Sequence, residues 1–554
     1  MLLGMRLKKI VGFLLVLGIA GPIGIVPREA EAQEGRTAAA LRHGTADYNV
    51  RIKDMATMED NLVAIGNSTY SEPFVFHSYD WHCVYDISTD PWTILSEIEY
   101  PPWPHNVSAV ELIRHSGQTS VVVLEKRIGR LLHYTLDGQL LGETLLPGAI
   151  NGLTTAYNDF AVAHIGSDID PQPLIFVVGT AINADDVPCV VCGAPDGSGY
   201  LVVAWNSTYE QYFEGYAMTK ISAASDGTSA YCVLLGEARD IYGNVVSQMV
   251  AALEGATRED PGTIRNLAAS DGLSTEFVDV AAVSDSMKDV WFGHALANEE
   301  TPERGTRTAH YYWKVDEFSV TCTHYPIAEP GEPGGNVRGE GLYIDKGKVK
   351  WFNPRRGGFM AVAGTTDGPI GGGPPPIGGS DVWLATLRWG DGGFDVDNIN
   401  AVWLWGTPGD DDVTAMSGRG QYDFFALGGG GQYAIELSVS IPSGQSFMGM
   451  EPVGGGGMDS VVIAFTDVGA MIEALIAKVE SLNLHQGIEN SLDVKLENAK
   501  KSLESVKAGN RQDAVNKLDA FVNECAAQSG KTLTADQADD LIADALDIIH
   551  ILLL

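Results

Sequence analysis

One rhythm of hydrophobic and polar positions runs through most of the chain. A short apolar run meets a polar turn, and a second apolar run follows that usually ends at Gly. It recurs at residues 54–66, 107–129, 153–166, 221–236, 280–293, 348–364 and 413–428. That is about seven copies at spacings of roughly 45–70 residues, in the range of propeller blades. Runs such as FAVAHIG and DFFALG are short, rich in β-branched and aromatic residues, and bounded by Gly, Asp and Asn, so each predicts a strand. A lone hairpin is marginal in water, so the copies must stack to share a core. Radial stacking of small antiparallel sheets manages their edges. The pattern therefore predicts a mainly β chain with a roughly seven-bladed β-propeller over 47–466. A pair of β-sandwiches or a β-solenoid are the competing arrangements, although solenoid rungs are shorter and more regular.

After Phe465 the period changes. Gly and Pro thin out and helix formers take over. Ile472, Leu475, Ile476 and Val479 share one helical face. Leu492, Leu496, Ala499 and Leu503 share a second, ending near Gly509. Ala514, Val515, Leu518, Phe521 and Val522 form a third between an Asn510 N-cap and a stop at Gly530. Thr534 and Gln537 make a capping-box pattern before Leu541, Ile542, Ala545, Leu546 and Ile549. Four short amphipathic helices predict a small bundle over 469–554.

Residues 1–32 read as a secretory signal peptide. Arg6, Lys8 and Lys9 precede the apolar run 10–20, and Ala30-Glu31-Ala32 offers a cleavage site. The alternative is an uncleaved anchor, but the run is short for a span and meets Gly21 and Pro22. Residues 33–46 then read as a linker. No later segment holds 18 uninterrupted apolar residues. The expectation is a chain that is secreted or held at the cell surface, with no transmembrane span once matured.

The formal net charge is −36, from 36 basic and 72 acidic residues. A phosphate backbone needs a basic footprint, so a nucleic-acid partner is excluded and an anionic membrane is disfavoured. The six Cys are too few for a disulfide scaffold in a chain this long. Cys189 and Cys192 form a lone CxxC with no second ligand pair for zinc. A structural disulfide or buried thiols are the plain readings.

At the later repeats the chain resembles a known family. AVAGTTDGPIGGGPPPIGGSDVWLATL (361–387) and VWLWGTPGDDDVTAMS (402–417) resemble the SBBP-type seven-bladed β-propeller repeat of secreted microbial proteins. Gly378-Gly379-Ser380-Asp381-Val382-Trp383-Leu384-Ala385 carries the central piece, Gly409-Asp410-Asp411 the next turn, and GGGGMDSVVIAF (454–465) a looser echo. The earlier blades share only the strand rhythm. The tail, from LIAKVESL through LIADALDII, resembles the FIMAH domain, a helical unit of secreted proteins. That resemblance implies an extracellular accessory module and no catalytic residue.

Little in the chain points to catalysis. Gly530-Lys531-Thr532 ends like a phosphate loop, but Cys525 stands where its first Gly belongs and the segment joins two helices. There is no HExxH and no GxSxG. Lone His residues such as His164 and His294 read as core or rim residues. Asp391, Asp395 and Asp397 form the most cation-like loop, a candidate for calcium, with a solvated hairpin turn as the plainer reading. Asp410, Asp411 and Asp412 carry the same ambiguity. Trp403 and Trp405, two apart on one strand face, are candidate stacking platforms for a ligand, or blade-packing residues. The leading expectation is a secreted or cell-surface non-enzymatic binding scaffold for a protein or glycan. One alternative is an extracellular glycan hydrolase or lyase with carboxylates at the propeller mouth. Another is a structural surface-assembly component docking through the helical tail, where Ile551-Leu552-Leu553-Leu554 is apolar.

Overall fold

The computed structural model describes residues 40–43 and 49–466, apart from strand connections at 59–60, 73–74, 88–92, 101–105, 151–152, 168–169, 183–186, 197–200, 210–214, 271–274, 286–289, 302–304, 316–319, 329–347, 353–358, 367–380, 391–392, 406–410, 419–433 and 443–457. It describes residues 472–553 apart from 473–474, 477, 481, 483 and 504–509. The leader-like segment 1–32 and the apolar end at Leu554 lie outside the described residues.

The strands assemble into seven antiparallel sheets, bearing out the mainly β, seven-bladed expectation. Blade 1 is β2 (Asn49–Met58), β3 (Asn61–Glu72), β4 (Val75–Asp86) and β5 (Thr93–Tyr100). Blade 2 is β6 (Val107–His115), β7 (Gln118–Glu125), β8 (Arg130–Thr135) and β9 (Leu140–Leu145). Blade 3 is β11 (Leu153–Ser167) through β14 (Leu201–Thr208), with the two-residue β10 (Ala149–Ile150) added beside β11. Blade 4 runs from β15 (Ala217–Ser225) through β16 (Ala230–Arg239) and β17 (Val245–Ala256) to β18 (Thr263–Ser270). Blade 5 runs from β19 (Thr275–Asp285) to β22 (Val320–Ala328), and blade 6 from β23 (Lys348–Phe352) to β26 (Gly393–Trp405). The first strand of each blade faces its counterparts in the neighbouring blades, so these seven strands ring the centre.

Blade 7 closes the ring. It consists of β27 (Asp412–Gly418), β28 (Ala434–Pro442), β29 (Met458–Thr466) and β1 (Ala40–His43), which pairs Ala40 with Ile463 and His43 with Ser460. The 33–46 stretch, expected as a linker, thus supplies an edge strand from the far end of the propeller sequence. Closure of this kind ties the first residues of the domain to the last.

In blades 1, 2, 4, 5 and 6 the sequence rhythm corresponds to the first two strands, and where its terminal Gly lies opposite a Trp it has a steric cause; the DFFALG run of the 413–428 copy lies outside the described residues. Gly66 pairs with Trp81, Gly293 with Trp313 and Gly364 with Trp383 across the second and third strands. These three Trp are the largest fully buried side chains. A Cβ at Gly66 would fall inside the Trp81 ring. One copy is built differently. Residues 153–166 are a single strand, β11, and its polar Asn158-Asp159 is a bulge instead of a turn.

The tail forms three long helices, α1 (Gln486–Leu503), α2 (Asn510–Gln528) and α3 (Ala535–Leu553), after helical residues at 472, 475–476 and 478–480. One core joins Ile472, Leu475, Val479, Leu492, Leu496, Phe521, Leu541 and Ala545. The capping box is formed: the Gln537 N–H donates to Thr534 Oγ1 (3.2 Å), and the Thr534 N–H donates to Gln537 Oε1 (2.9 Å). Leu546 was placed on the apolar face by its spacing but is half exposed. No helix among the described residues is long and apolar enough to cross a membrane.

Candidate functional site: the channel mouth

Six of the seven inner strands carry a bulge near their start, at Lys53, Ser108, Asn158, Thr219, Val278 and Thr414. The inner strands all run the same way, so the bulges share one end of the channel, where each blade connects to the next. A bulge re-aims the residues beside it. Here it sets Asp54, Ala109, Asp159, Lys220, Asp279 and Ala415 at equivalent positions around the mouth.

Two blade seams use the same clasp. Lys53 Nζ donates to the Val107 carbonyl (3.2 Å), and Asp54 Oδ2 accepts from the Val110 N–H (3.0 Å). Asn158 Nδ2 donates to the Met218 carbonyl (2.6 Å), and Asp159 Oδ2 accepts from the Ile221 N–H (3.1 Å). Third strands reinforce the seams by capping the backbone N–H just before the next bulge. Asp80 does so for Val107 (3.1 Å), Gln248 for Phe277 (2.6 Å) and Ser460 for Ile52 (3.1 Å). The last of these holds the closing blade to blade 1. Asp80 also pairs with Lys53 at 2.7 Å, and Lys220 with Asp279 at 3.4 Å.

The mouth is therefore an electrostatic mosaic engaged mainly with itself. Burial, and then the neighbouring Asp54 charge, push the Asp159 carboxyl up to about 6 against the pull of Lys220. Burial lowers the Lys126 ammonium, while Asp159 works to raise it. A carboxyl titrating near 6 has the range of a general acid, but Asp159 already accepts from two backbone amides, Ile221 and Phe160. No group of three or more His, Cys, Asp or Glu among the described residues is arranged to hold a metal ion.

Three imidazoles are held neutral in and between blades 1 to 3. His82 Nδ1 meets the Tyr100 hydroxyl (2.7 Å) and its ring lies on Tyr134 of blade 2. His133 meets Ser120 (2.7 Å), and His164 Nε2 accepts the Arg114 N–H across the blade 2–3 seam (3.1 Å). Burial lowers all three to about 4.

On the same end of the propeller, the β16–β17 hairpin ends in a rigid tip. Asp240 accepts from the N–H groups of Tyr242 (2.8 Å) and Asn244 (2.9 Å), Arg239 donates to the Gly243 carbonyl (2.7 Å), and Gly243 takes a φ of 86°. Ile241 and Tyr242 project from it at 91% and 83% exposure.

The residues singled out in the sequence fall elsewhere. Asp391 lies outside the described residues, in the two-residue link between paired Gly390 and Gly393. Asp395 and Asp397 lie on β26, in the stretch 395–398 that the β25–β26 ladder skips. Trp403 and Trp405 lie two apart on β26, the outermost strand of blade 6. Asp410 is outside the described residues, Asp411 is buried, and Asp412 meets Arg51 at 3.7 Å. Cys189 and Cys192 are three apart on β13 (Val187–Pro195), so strand alternation sends them into different cores. Both are free buried thiols that burial pushes up to about 12, so of the two plain readings the buried thiols hold and the disulfide does not. No motif in the sequence marks the mouth residues Asp54, Asp159 and Asp279. The available signal was a large apolar residue two positions before each: Ile52, Tyr157 and Phe277.

No family model matches the chain, and no curated protein matches it. Among solved structures, an apocarotenoid oxygenase from Synechocystis is similar at 8% identity and a TM-score of 0.38, covering 79% of this chain and 95% of its own. A subtype N11 neuraminidase-like protein of A/flat-faced bat/Peru/033/2010 is similar at 8% identity and 0.31, covering 63% and 93%. Drosophila Plexin A in complex with Semaphorin 1b is similar at 9% identity and 0.28, covering 61% and 87%. At these scores the likenesses carry no functional weight, and the seven-bladed assignment stands on the chain's own sheets and ring closure.

Proposed function

We propose that the chain is an exported, non-enzymatic binding scaffold whose ligand, a protein or a glycan, docks on the end of the propeller that carries the bulges. The carrying observation is the β16–β17 tip. Its polar groups are engaged internally, so two large side chains stand in water on a fixed frame, at low entropic cost to a binder. Tyr is among the residues that dominate binding surfaces. The mouth carboxylates support this reading over hydrolysis, because Asp54 and Asp159 are occupied by backbone amides. The leader-like 1–32 segment and the SBBP-like and FIMAH-like stretches favour an extracellular setting. Calcium at Asp391, Asp395 and Asp397 and ligand stacking on Trp403 and Trp405 belong to the same proposal.

The test is a glycan-array and cation screen, read by thermal shift, on the chain from Gln33. A ligand that raises the wild-type midpoint should fail to do so in Ile241→Ser/Tyr242→Ser, whose own midpoint stays unchanged. Glycan turnover abolished by Asp159→Asn would overturn the non-enzymatic reading. A calcium shift lost in Asp395→Asn/Asp397→Asn would place the cation, and its absence in wild type would remove it.

A further inference from the structure

The outermost strands carry a second repeated bulge, and among blades 1 to 4 it treats the first two differently from the third and fourth. The bulged residues are Leu95, Leu141, Ala204 and Leu267 in blades 1 to 4. In blade 4, Leu267 packs against the neighbouring core beside Gly293. In blade 3 the residue is only Ala204. In blades 1 and 2 the bulge instead turns two consecutive large residues to water. Ile94 (51% exposed) stands beside Leu95, and Leu140 (50%) beside Leu141, with Leu145 (65%) further along β9. The two strands are tied together, since Ser96 Oγ donates to the Leu136 carbonyl of the β8–β9 turn (2.8 Å). Both β5 and β9 are terminal in their sheets, so each has an edge to which no strand among the described residues is added.

Acidic residues are interleaved with these apolar ones. Glu97 and Glu99 share a face of β5, and Glu143 is exposed on β9. Burial, and then the Glu99 charge, raise the Glu97 carboxyl above its usual range, which marks the two carboxylates as close neighbours on this face. An apolar edge of this kind is normally blunted or covered.

We infer that the outer edges of blades 1 and 2 bind an extended, alternating basic and apolar segment of a partner protein, which joins β5 as an added strand. Backbone pairing comes from the open edge. The partner's apolar side chains rest on Ile94, Leu95, Leu140 and Leu141, and its Lys or Arg residues meet Glu97 and Glu99. A second copy of this chain is disfavoured as occupant, because it would bring the same carboxylates together in a molecule of net charge −36.

The probe is a capped synthetic peptide of about ten residues alternating Val and Lys, added to the full chain and followed by fluorescence anisotropy and amide hydrogen exchange. Exchange should slow in β5 and β9 and not in β14 or β18. Leu95→Ser/Leu141→Ser should weaken binding about tenfold with cooperative thermal unfolding retained, as should Glu97→Gln/Glu99→Gln, whereas Val202→Ser should leave it intact. Absence of wild-type binding overturns the proposal. So does equal binding by Leu95→Ser/Leu141→Ser, or protection spread over the whole acidic surface, since either marks unspecific charge attraction. A wild-type dimer in sedimentation that Leu95→Ser dissolves also overturns it, because a second copy would then own the edge.

Discussion

The inner and outer strands of the propeller invert the usual arrangement of polarity. Around the channel mouth, Asp54, Asp80, Asp159 and Lys53 are engaged with the backbone or with each other across blade seams. Along the outer rim of blades 1 and 2, by contrast, large aliphatic residues stand in water. Charge here holds the ring together, while apolar surface is what remains open to a partner. The contrast teaches that the acidic mouth of such a ring is weak evidence for catalysis until its carboxylates are shown to lack structural duties.

Acid is the largest lever on this contrast. His82, His133 and His164 take up a proton at about 4 when folded and at the ordinary 6.5 when unfolded. Protons therefore favour the unfolded chain between those values. The stability these groups contribute is complete above pH 6.5 and is lost as pH falls towards 4, by about 3 kcal/mol for each imidazole at most. Asp159 works in the opposite sense. It is protonated below about 6 when folded and below 3.8 when unfolded, so acid favours the fold by a similar amount over that window. Asp493 in the tail, raised to about 6 by burial and then by neighbouring carboxylates, works in the same sense as Asp159, so three imidazoles face two carboxyls and a smaller net loss remains. Denaturant titrations from pH 7 to 4 should show it, and exchange of the Arg114 amide should rise early, because a protonated His164 can no longer accept its N–H.

Next in size is Asp80→Ala. It leaves the partly buried Lys53 ammonium with the Val107 carbonyl but no counter-charge at Asp80 and uncaps the Val107 N–H, at a cost of about 3 kcal/mol by chemical denaturation. Gly66→Ala should cost about 2 kcal/mol or more, since the new methyl displaces the Trp81 ring or the Arg51 carbonyl. If Asp80→Ala is neutral, the seams are not what holds the ring. In the tail, Thr534→Ala should cost about 1 kcal/mol through its cap alone.

Legibility followed the range of the interactions. The tail was readable almost residue by residue, because caps and helical faces are set by neighbours three and four positions away. Leu546 failed because spacing gives a face but not its width. The hairpin rhythm was readable for the same local reason, and Gly66, Gly293 and Gly364 marked where a Trp would lie opposite. β1 was unreadable, since four residues near the start pair with β29 at the other end of the domain. The Asn158-Asp159 pair was misread because a bulge and a turn favour the same small polar residues. The mouth was unreadable as a site because each blade contributes only one or two residues to it, and only ring closure brings them together.

The smallest predicted effect sharpens the contrast most. Ile241→Ser removes a side chain that is 91% exposed and should change folding stability by no more than about 0.5 kcal/mol, while Leu95→Ser, at a residue 40% exposed, should cost about 1 kcal/mol at most. A loss of 2 kcal/mol or more in either variant would mean that the residue packs against part of this chain. The rim or the tip would then belong to the fold. An outcome within these limits in both, beside the large cost at Asp80, would separate the residues that hold the ring from those that face a partner.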